Sequence, residues 1–185
     1  MEYSFSTHDP VIVLLLCLPL MVGGVLHMAA VKGDILSYFK KPIHHRWFGL
    51  NKTWRGFIIM PLATWPGVLL TQFLEGLFDL NTPLLTPYPS GGLALLLGWG
   101  YCLAELPNSF IKRRLGIKEG QTADKKKWLF ILIDQADSAL GCMLAYLMIL
   151  PLSQQIFWLA VATGALIHFL FNAILYQVGL RKHPY

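Results

Sequence analysis

Two carboxylates stand inside an otherwise apolar stretch of the chain. Asp134 and Asp137 are three residues apart, so a helix places them on one face. On insertion scales a carboxylate in the hydrocarbon region of a bilayer costs about 2.5–3.5 kcal/mol, so the pair requires a compensating positive charge. Cations of the headgroup zone, Lys125 to Lys127, are one source of that charge. A Mg²⁺ ion is the other, because it is commonly held by one or two carboxylates together with substrate phosphates.

A hydroxyl and two cations follow Glu105, which lies at the end of another apolar stretch. Glu105 can join the two aspartates from a neighbouring helix as a further metal ligand. Asn108 or Ser109 can cap a helix N-terminus, and a helix starting there places Ser109, Lys112 and Arg113 on one side. Such a group suits a phosphate. A run of anchors for anionic lipids, worth about 1 kcal/mol per basic residue, explains the segment equally well.

Lys52 and Arg55 form a second basic patch, just before a further apolar stretch. The surrounding segment lacks the GxxxxGK[ST] spacing, which excludes a P-loop. If a helix starts here, the two cations share a face and can bind a phosphate, with Trp54 at the membrane interface. Simple flanking anchors are again the alternative.

The last apolar stretch carries two polar residues four apart, His168 and Asn172, which share a helix face. Such residues often only join helices within a membrane. With Tyr176 at the same spacing, they are candidates to line the bundle interior as part of a lipid or substrate cavity.

These residues must be positioned by membrane helices. Hydrophobic residues make up 55% of the 185-residue chain and charged residues 14%, against about 25% charged in soluble proteins. A bilayer requires about 20 apolar residues per helical span. We therefore expect an all-α integral membrane protein, one domain over residues 1–185, with five transmembrane helices near residues 11–31, 57–74, 91–106, 128–150 and 156–178.

The positive charges predict the orientation of these spans. All 15 Lys and Arg residues lie in the loops 32–56 and 107–127 or in the C-terminal tail. Five spans place these segments on one side, which the positive-inside rule makes cytoplasmic. We expect a multi-pass protein of the cell (inner, cytoplasmic) membrane, with the N-terminus outside, the C-terminus in the cytoplasm and the site at the cytoplasmic face. The net charge of +5 then reflects topology, so no nucleic-acid partner is expected.

Four segments in order carry a family resemblance: Lys52-Thr53-Trp54-Arg55-Gly56, the run SFIKRRLGI from Ser109 to Ile117, Asp134-Gln135-x-Asp137, and the tail with His168, Asn172, Tyr176 and Gly179. With them the chain resembles the CDP-archaeol synthase family, relatives of the phosphatidate cytidylyltransferases (CDP-diacylglycerol synthases). The resemblance extends from the first span to the C-terminus.

The resemblance implies a CTP-dependent cytidylyltransferase of phospholipid biosynthesis. CTP and a lipid phosphate in the bilayer would give a CDP-lipid and pyrophosphate, with Mg²⁺ as the cofactor. It implies metal binding by Asp134, Asp137 and Glu105, and triphosphate binding by Ser109, Lys112 and Arg113. Lys52 and Arg55 would bind a phosphate of CTP or lipid, and Asp134, Asp137 and Lys112 would be catalytic.

The chain also departs from the family pattern. Ala104-Glu105 stands where the archaeal pattern has Gly-Asp, and Ser138 stands in place of Phe. These departures resemble those of bacterial members and leave the lipid undefined. Because the carboxylate of Glu105 is one methylene further out, a non-catalytic lipid- or anion-binding membrane protein of the same family is the alternative. A CDP-alcohol phosphotransferase is excluded by the missing DGxxAR…GxxxD…D signature.

Overall fold

The computed structural model describes residues 9–78, 83–119, 121 and 127–179. Within them the chain is helical, and extended pairing is limited to one bridge between Pro42 and Thr53. The expected all-α fold is confirmed for these residues. The helices are α1 (Asp9–Lys32), α2 (His45–Phe48), α3 (Trp54–Leu77), α4 (Ser90–Arg114), α5 (Lys127–Tyr146) and α6 (Gln154–Gln177), with a 3-10 turn at Ser37–Phe39. Lys125, Lys126, Arg181 and Lys182, on which part of the charge argument depends, lie outside the described residues.

Four helices of the described chain are long and apolar enough to cross a membrane. They are α1, α3, α5 and α6, with mean hydropathies of 2.5, 1.6, 1.3 and 1.8. The expected span 91–106 lies in α4, which is not one of the four. Glycines, Trp99, Tyr101 and Glu105 lower the apolarity of this helix. The five-span topology and its orientation therefore stay predictions.

The long helices form a closed bundle in which α4 packs between α3 and α5. Helix α1 packs on α3, α3 on α4, α4 on α5, and α5 on α6, which returns to α1. Small residues allow the close approaches, as is usual for membrane helices. A Cβ on Gly98 would lie 2.5 Å from Cα of Pro61, and one on Gly100 would lie 2.9 Å from the carbonyl oxygen of Gly141. Helix α4 is thus held tightly between α3 and α5.

Helix α4 continues through Pro107 to Arg114. The expected new helix N-terminus at Asn108 or Ser109 is therefore wrong. A proline removes one backbone hydrogen bond, but membrane helices tolerate this loss where neighbouring helices pack against them. As a consequence, Asn108 is not a cap and remains in register with the rest of the helix.

The segment between α1 and α3 folds back on itself beside the start of α3. The Ile43 N–H donates to the Lys52 carbonyl over 2.9 Å, and the Trp54 N–H donates to the Lys41 carbonyl over 3.1 Å. Helix α2 of this segment packs on α4. These contacts bring the basic patch around Lys52 next to the polar end of α4.

Candidate active site

One face of α4 carries the polar side chains that assemble the site. Tyr101, Glu105, Asn108 and Lys112 follow one another at intervals of four, three and four residues. Because a helix turns once in about 3.6 residues, all four lie on one side. Their partners are on α5, on α6 and in the segment before α3.

The two aspartates of α5 meet at the amide of Asn108. The amide nitrogen donates to Oδ1 of Asp134 over 2.6 Å and to Oδ2 of Asp137 over 2.9 Å. Asn108 is 8% exposed, so these bonds form in a largely buried place. The spacing argument that put both carboxylates on one face agrees with this arrangement.

Lys112 lies against Asp134 and not beside the other predicted phosphate ligands. Its ammonium contacts both carboxylate oxygens of Asp134 and lies 5.9 Å from the ring centre of Phe130. Arg113 turns to Glu119, with 3.6 Å between Nη1 and Oε1. Ser109 is half-buried on the same helix. In this structure the three residues therefore share a helix end without converging on one point.

Glu105 pairs with Lys52 across the α3–α4 contact. Lys52 Nζ lies 2.5 Å from Glu105 Oε2, and both side chains are largely buried. Burial disfavours the charged ammonium, but the Glu105 carboxylate outweighs this effect and raises the pKa of Lys52 above its ordinary value. Lys52 thus stays charged at neutral pH.

Arg55 is separated from Lys52 by its own partner. Its Nη1 donates to Oδ1 of Asp34 over 2.8 Å, and the residue is 5% exposed. Asp34 has a left-handed backbone, with φ 50°, and also lies 3.7 Å from Lys40 Nζ. Lys52 and Arg55 therefore pair with different carboxylates, Glu105 and Asp34.

His168 and Asn172 of α6 contact α5 between and beside the aspartates. The Asn172 amide donates to Oε1 of Gln135 over 2.7 Å. Nδ1 of His168 lies 3.2 Å from Oγ of Ser138, and its ring centre lies 6.3 Å from that of Tyr101. Ser138, one of the departures from the family pattern, thus has a partner in the polar interior.

The donor set fits a divalent cation at the aspartate pair better than at all three acids. Oxygens of Asp134 and Asp137 both lie within hydrogen-bond reach of one amide nitrogen, so one small cation could contact both. One or two carboxylates are the usual protein share of a Mg²⁺ site. Within the described residues no group of three His, Cys, Asp or Glu side chains is arranged to hold a metal. Glu105 pairs with Lys52, and Asp134 pairs with Lys112.

Comparison with known proteins agrees with the motifs on these helices. The family model described as CDP-archaeol synthase (CarS-like) matches residues 11–185. The chain belongs to the CDP-archaeol synthase family.

Proteins named CDP-archaeol synthase are similar to this family member over most of its length. That of Thermococcus gammatolerans is 35% identical over 145 residues, which cover 76% of this chain and 75% of the relative. That of Pyrococcus abyssi is 32% identical over 170 residues, covering 90% and 88%. That of Methanosphaerula palustris is 30% identical over 150 residues, covering 76% and 82%. No solved structure matches the chain.

Four residues of this CDP-archaeol synthase family member were not assigned to the site from sequence: Asp34, Asn108, Glu119 and His27. His27 of α1 interacts electrostatically with Glu105 and Lys52. The spacing of Asn108, three after Glu105 and four before Lys112, could have found it if α4 had been expected to continue through Pro107. Asp34 and Glu119 stand out only as acids inside basic segments.

Proposed function

We propose that the protein is a CTP:lipid-phosphate cytidylyltransferase of phospholipid biosynthesis. One observation carries the proposal: the partly buried meeting point of Asn108 and Lys112 of α4 with Asp134 and Asp137 of α5. Carboxylates and cations so close together suit a divalent metal and phosphates. The names of the relatives, CDP-archaeol synthase, support the same reaction class.

In the reaction, an oxygen of the lipid phosphate attacks the α-phosphorus of CTP. The bond from that phosphorus to the oxygen bridging to the β-phosphorus breaks, and pyrophosphate leaves. A bound Mg²⁺ ion would supply neutralisation of the charge on the triphosphate and the leaving group. Asp134 and Asp137 would hold this ion.

The basic residues divide between the two substrates. Lys112, with Ser109 and Arg113 on the same helix end, binds the triphosphate and exchanges its contact with Asp134 for phosphate oxygens. Lys52 and Arg55 come from the start of α3 and bind the lipid phosphate. In-line transfer places nucleophile and leaving group about 180° apart, which two separate basic patches satisfy.

His168 and Asn172 line the inner side of the lipid-binding cavity, next to Gln135 and Ser138. The contacts of α6 with α5 support this placement, because they keep polar groups inside the bundle within one helical turn of the aspartates. Glu105 holds Lys52 in place, which its 2.5 Å ion pair supports.

The site lies at the cytoplasmic face of the cell membrane, with α4 as the third of five spans. The N-terminus is outside and the C-terminus is in the cytoplasm. The ion pairs recorded in the described residues support one polar end, because they join residues of 34–55, 105–119 and 134. These positions belong to the ends of helices that the charge pattern assigns to the cytoplasm.

The test is turnover by the purified protein in neutral lipid vesicles. Labelled CTP is supplied with an isoprenoid ether-lipid phosphate or with a diacylglycerol phosphate, and pyrophosphate and labelled lipid are measured. We expect both products in equal amounts, with dependence on Mg²⁺ and on a lipid phosphate. Binding of the lipid phosphate without any pyrophosphate would instead support the non-catalytic alternative.

A further inference from the structure

Glu119 contacts both cytoplasmic-loop segments that carry the proposed phosphate ligands. It follows the C-terminus of α4, beyond Gly116, whose φ of 75° ends the helix. Its Oε1 accepts the backbone N–H of Leu50 over 3.2 Å and lies 3.6 Å from Nη1 of Arg113. One carboxylate oxygen therefore faces the segment before α3 and the end of α4 together.

Glu119 lies very close to the backbone of the segment before α3. Gly49 has a φ of 85°, which favours glycine. A Cβ at this position would lie 2.7 Å from Oε1 of Glu119. The backbone at residues 49 and 50 is thus shaped to receive this carboxylate.

Glu119 supplies Arg113 with a counter-charge but accepts no hydrogen bond from it. Its side chain is 13% exposed, and its Nε and Nη1 are buried without a hydrogen-bond partner in the described structure. A buried guanidinium is costly without a counter-charge, and the Glu119 carboxylate at 3.6 Å supplies one. Because Glu119 accepts no hydrogen bond from them, the Nε and Nη1 donors stay unsatisfied in the described structure.

Glu119 keeps its charge at neutral pH. Hydrogen bonds from its own backbone N–H and from that of Leu50, with the charge of Arg113, hold the pKa of Glu119 below its ordinary value. The interaction with Arg113 is therefore that of an ionised pair.

We propose that Glu119 is a positioning residue for the nucleotide: it holds Arg113 in place for the triphosphate and joins the segment around Leu50 to that site. This rests on the proposed function. Glu119 acts through Arg113 and does not itself touch the substrate.

Glu119→Gln separates positioning from general electrostatics. The variant keeps an oxygen acceptor for the Leu50 N–H and loses only the charge that faces Arg113. CTP is an anion, so removal of a negative charge by itself would strengthen its binding. Positioning predicts the reverse: the KM for CTP rises about five-fold, the scale of one lost ion pair, while kcat and the KM for lipid phosphate stay unchanged.

Three further measurements complete the test. Arg113→Ala should raise the KM for CTP, and adding Glu119→Gln to it should have no further effect, because the positioned group is then missing. Lys118→Gln, at the exposed neighbour, also changes the charge of this segment by one unit but in the opposite sense. It shows how far one charge here changes the KM for CTP by general electrostatics, and we expect a smaller change than in Glu119→Gln. Thermal unfolding in detergent checks that each variant is folded.

The outcomes distinguish this inference from the proposed function. Unchanged or tighter CTP binding in Glu119→Gln overturns the positioning role, and so does an equal loss for CTP and lipid phosphate. An additive effect of Glu119→Gln in the Arg113→Ala background also overturns it. If wild-type protein neither binds CTP nor releases pyrophosphate, the proposed function itself fails.

Discussion

Lys52 Nζ lies 2.5 Å from Oε2 of Glu105, in an ion pair that links the start of α3 to the middle of the polar face of α4. The side chains are 25% and 22% exposed. The pair places one cation and one carboxylate in contact at the junction of the two elements.

The two members of this pair are expected to depend on each other for stability. Lys52→Ala leaves the Glu105 carboxylate without its cation and should lower the thermal unfolding midpoint in detergent. Adding Glu105→Gln removes the stranded charge and should recover most of the loss. Equal or additive losses in the single and double variants would contradict the coupling. Lys41→Ala, an exposed lysine in the same segment, is the matched control.

The aspartate pair is expected to be essential for turnover and dispensable for folding. Asp134→Asn and Asp137→Asn should each abolish pyrophosphate release, because the metal loses a charged ligand. The fold should persist, since a neutral amide is cheaper to bury than a carboxylate and the long Lys112 side chain can reach the headgroup zone. Gel filtration and unfolding midpoint check the fold. Near-normal turnover of either variant at low Mg²⁺ would show that the pair does not hold the metal.

Features of the site that depend on residues close together in the sequence could be predicted, whereas features that depend on residues far apart in the sequence could not. The spacing of Asp134 and Asp137 is local, and it correctly predicted their shared face. The capping preference of Asn108 and Ser109 misled the prediction for α4, because it favours a new helix start, whereas packing between α3 and α5 keeps the helix continuous through Pro107.

The pairing of acidic with basic side chains could not be predicted from the spacing of residues within one helix. Lys52 and Glu105 are 53 residues apart, and Arg113 was expected on a phosphate surface without a counter-ion. Which acid meets which base is decided by the tertiary contact of α3, α4 and the intervening segments. Apolar runs and positive charges, in contrast, are sufficient to predict an all-helical membrane protein, because length and hydropathy act within each helix.

The five-span topology predicts which loops are accessible from outside the cell. Two cysteine substitutions test this topology: Leu80→Cys, at a position between α3 and α4 in the sequence, and Thr122→Cys, at a position between α4 and α5. In sealed cells a membrane-impermeant thiol reagent should label the first and not the second. Cys17, Cys102 and Cys142 are buried and supply the unlabelled background. The opposite pattern would reverse the orientation, and labelling of both positions would show that α4 does not cross the membrane.

Lys112 is expected to bind the triphosphate of CTP. Its ammonium contacts Asp134, so it already lies at the carboxylates that would hold the metal, and phosphate oxygens can take over this contact. Lys112→Ala should weaken CTP binding about ten-fold or more, the scale of one charge-assisted hydrogen bond. Calorimetry in a neutral detergent measures the affinity where anionic lipid is absent. A residue that only anchors the protein to anionic lipids would leave this affinity unchanged.

Arg114→Ala provides the matched control for Lys112. Arg114 is two residues further along α4, where it donates to the Arg46 carbonyl over 2.9 Å and lies 5.1 Å from the ring centre of Phe110. It carries the same charge at the same helix end but lies away from the aspartates, so its loss should change CTP affinity much less. Equal weakening in both variants would mean that the helix end attracts CTP by overall charge alone. Weakening confined to Lys112→Ala places the triphosphate at the aspartate pair, because Lys112 contacts Asp134 whereas Arg114 contacts Arg46.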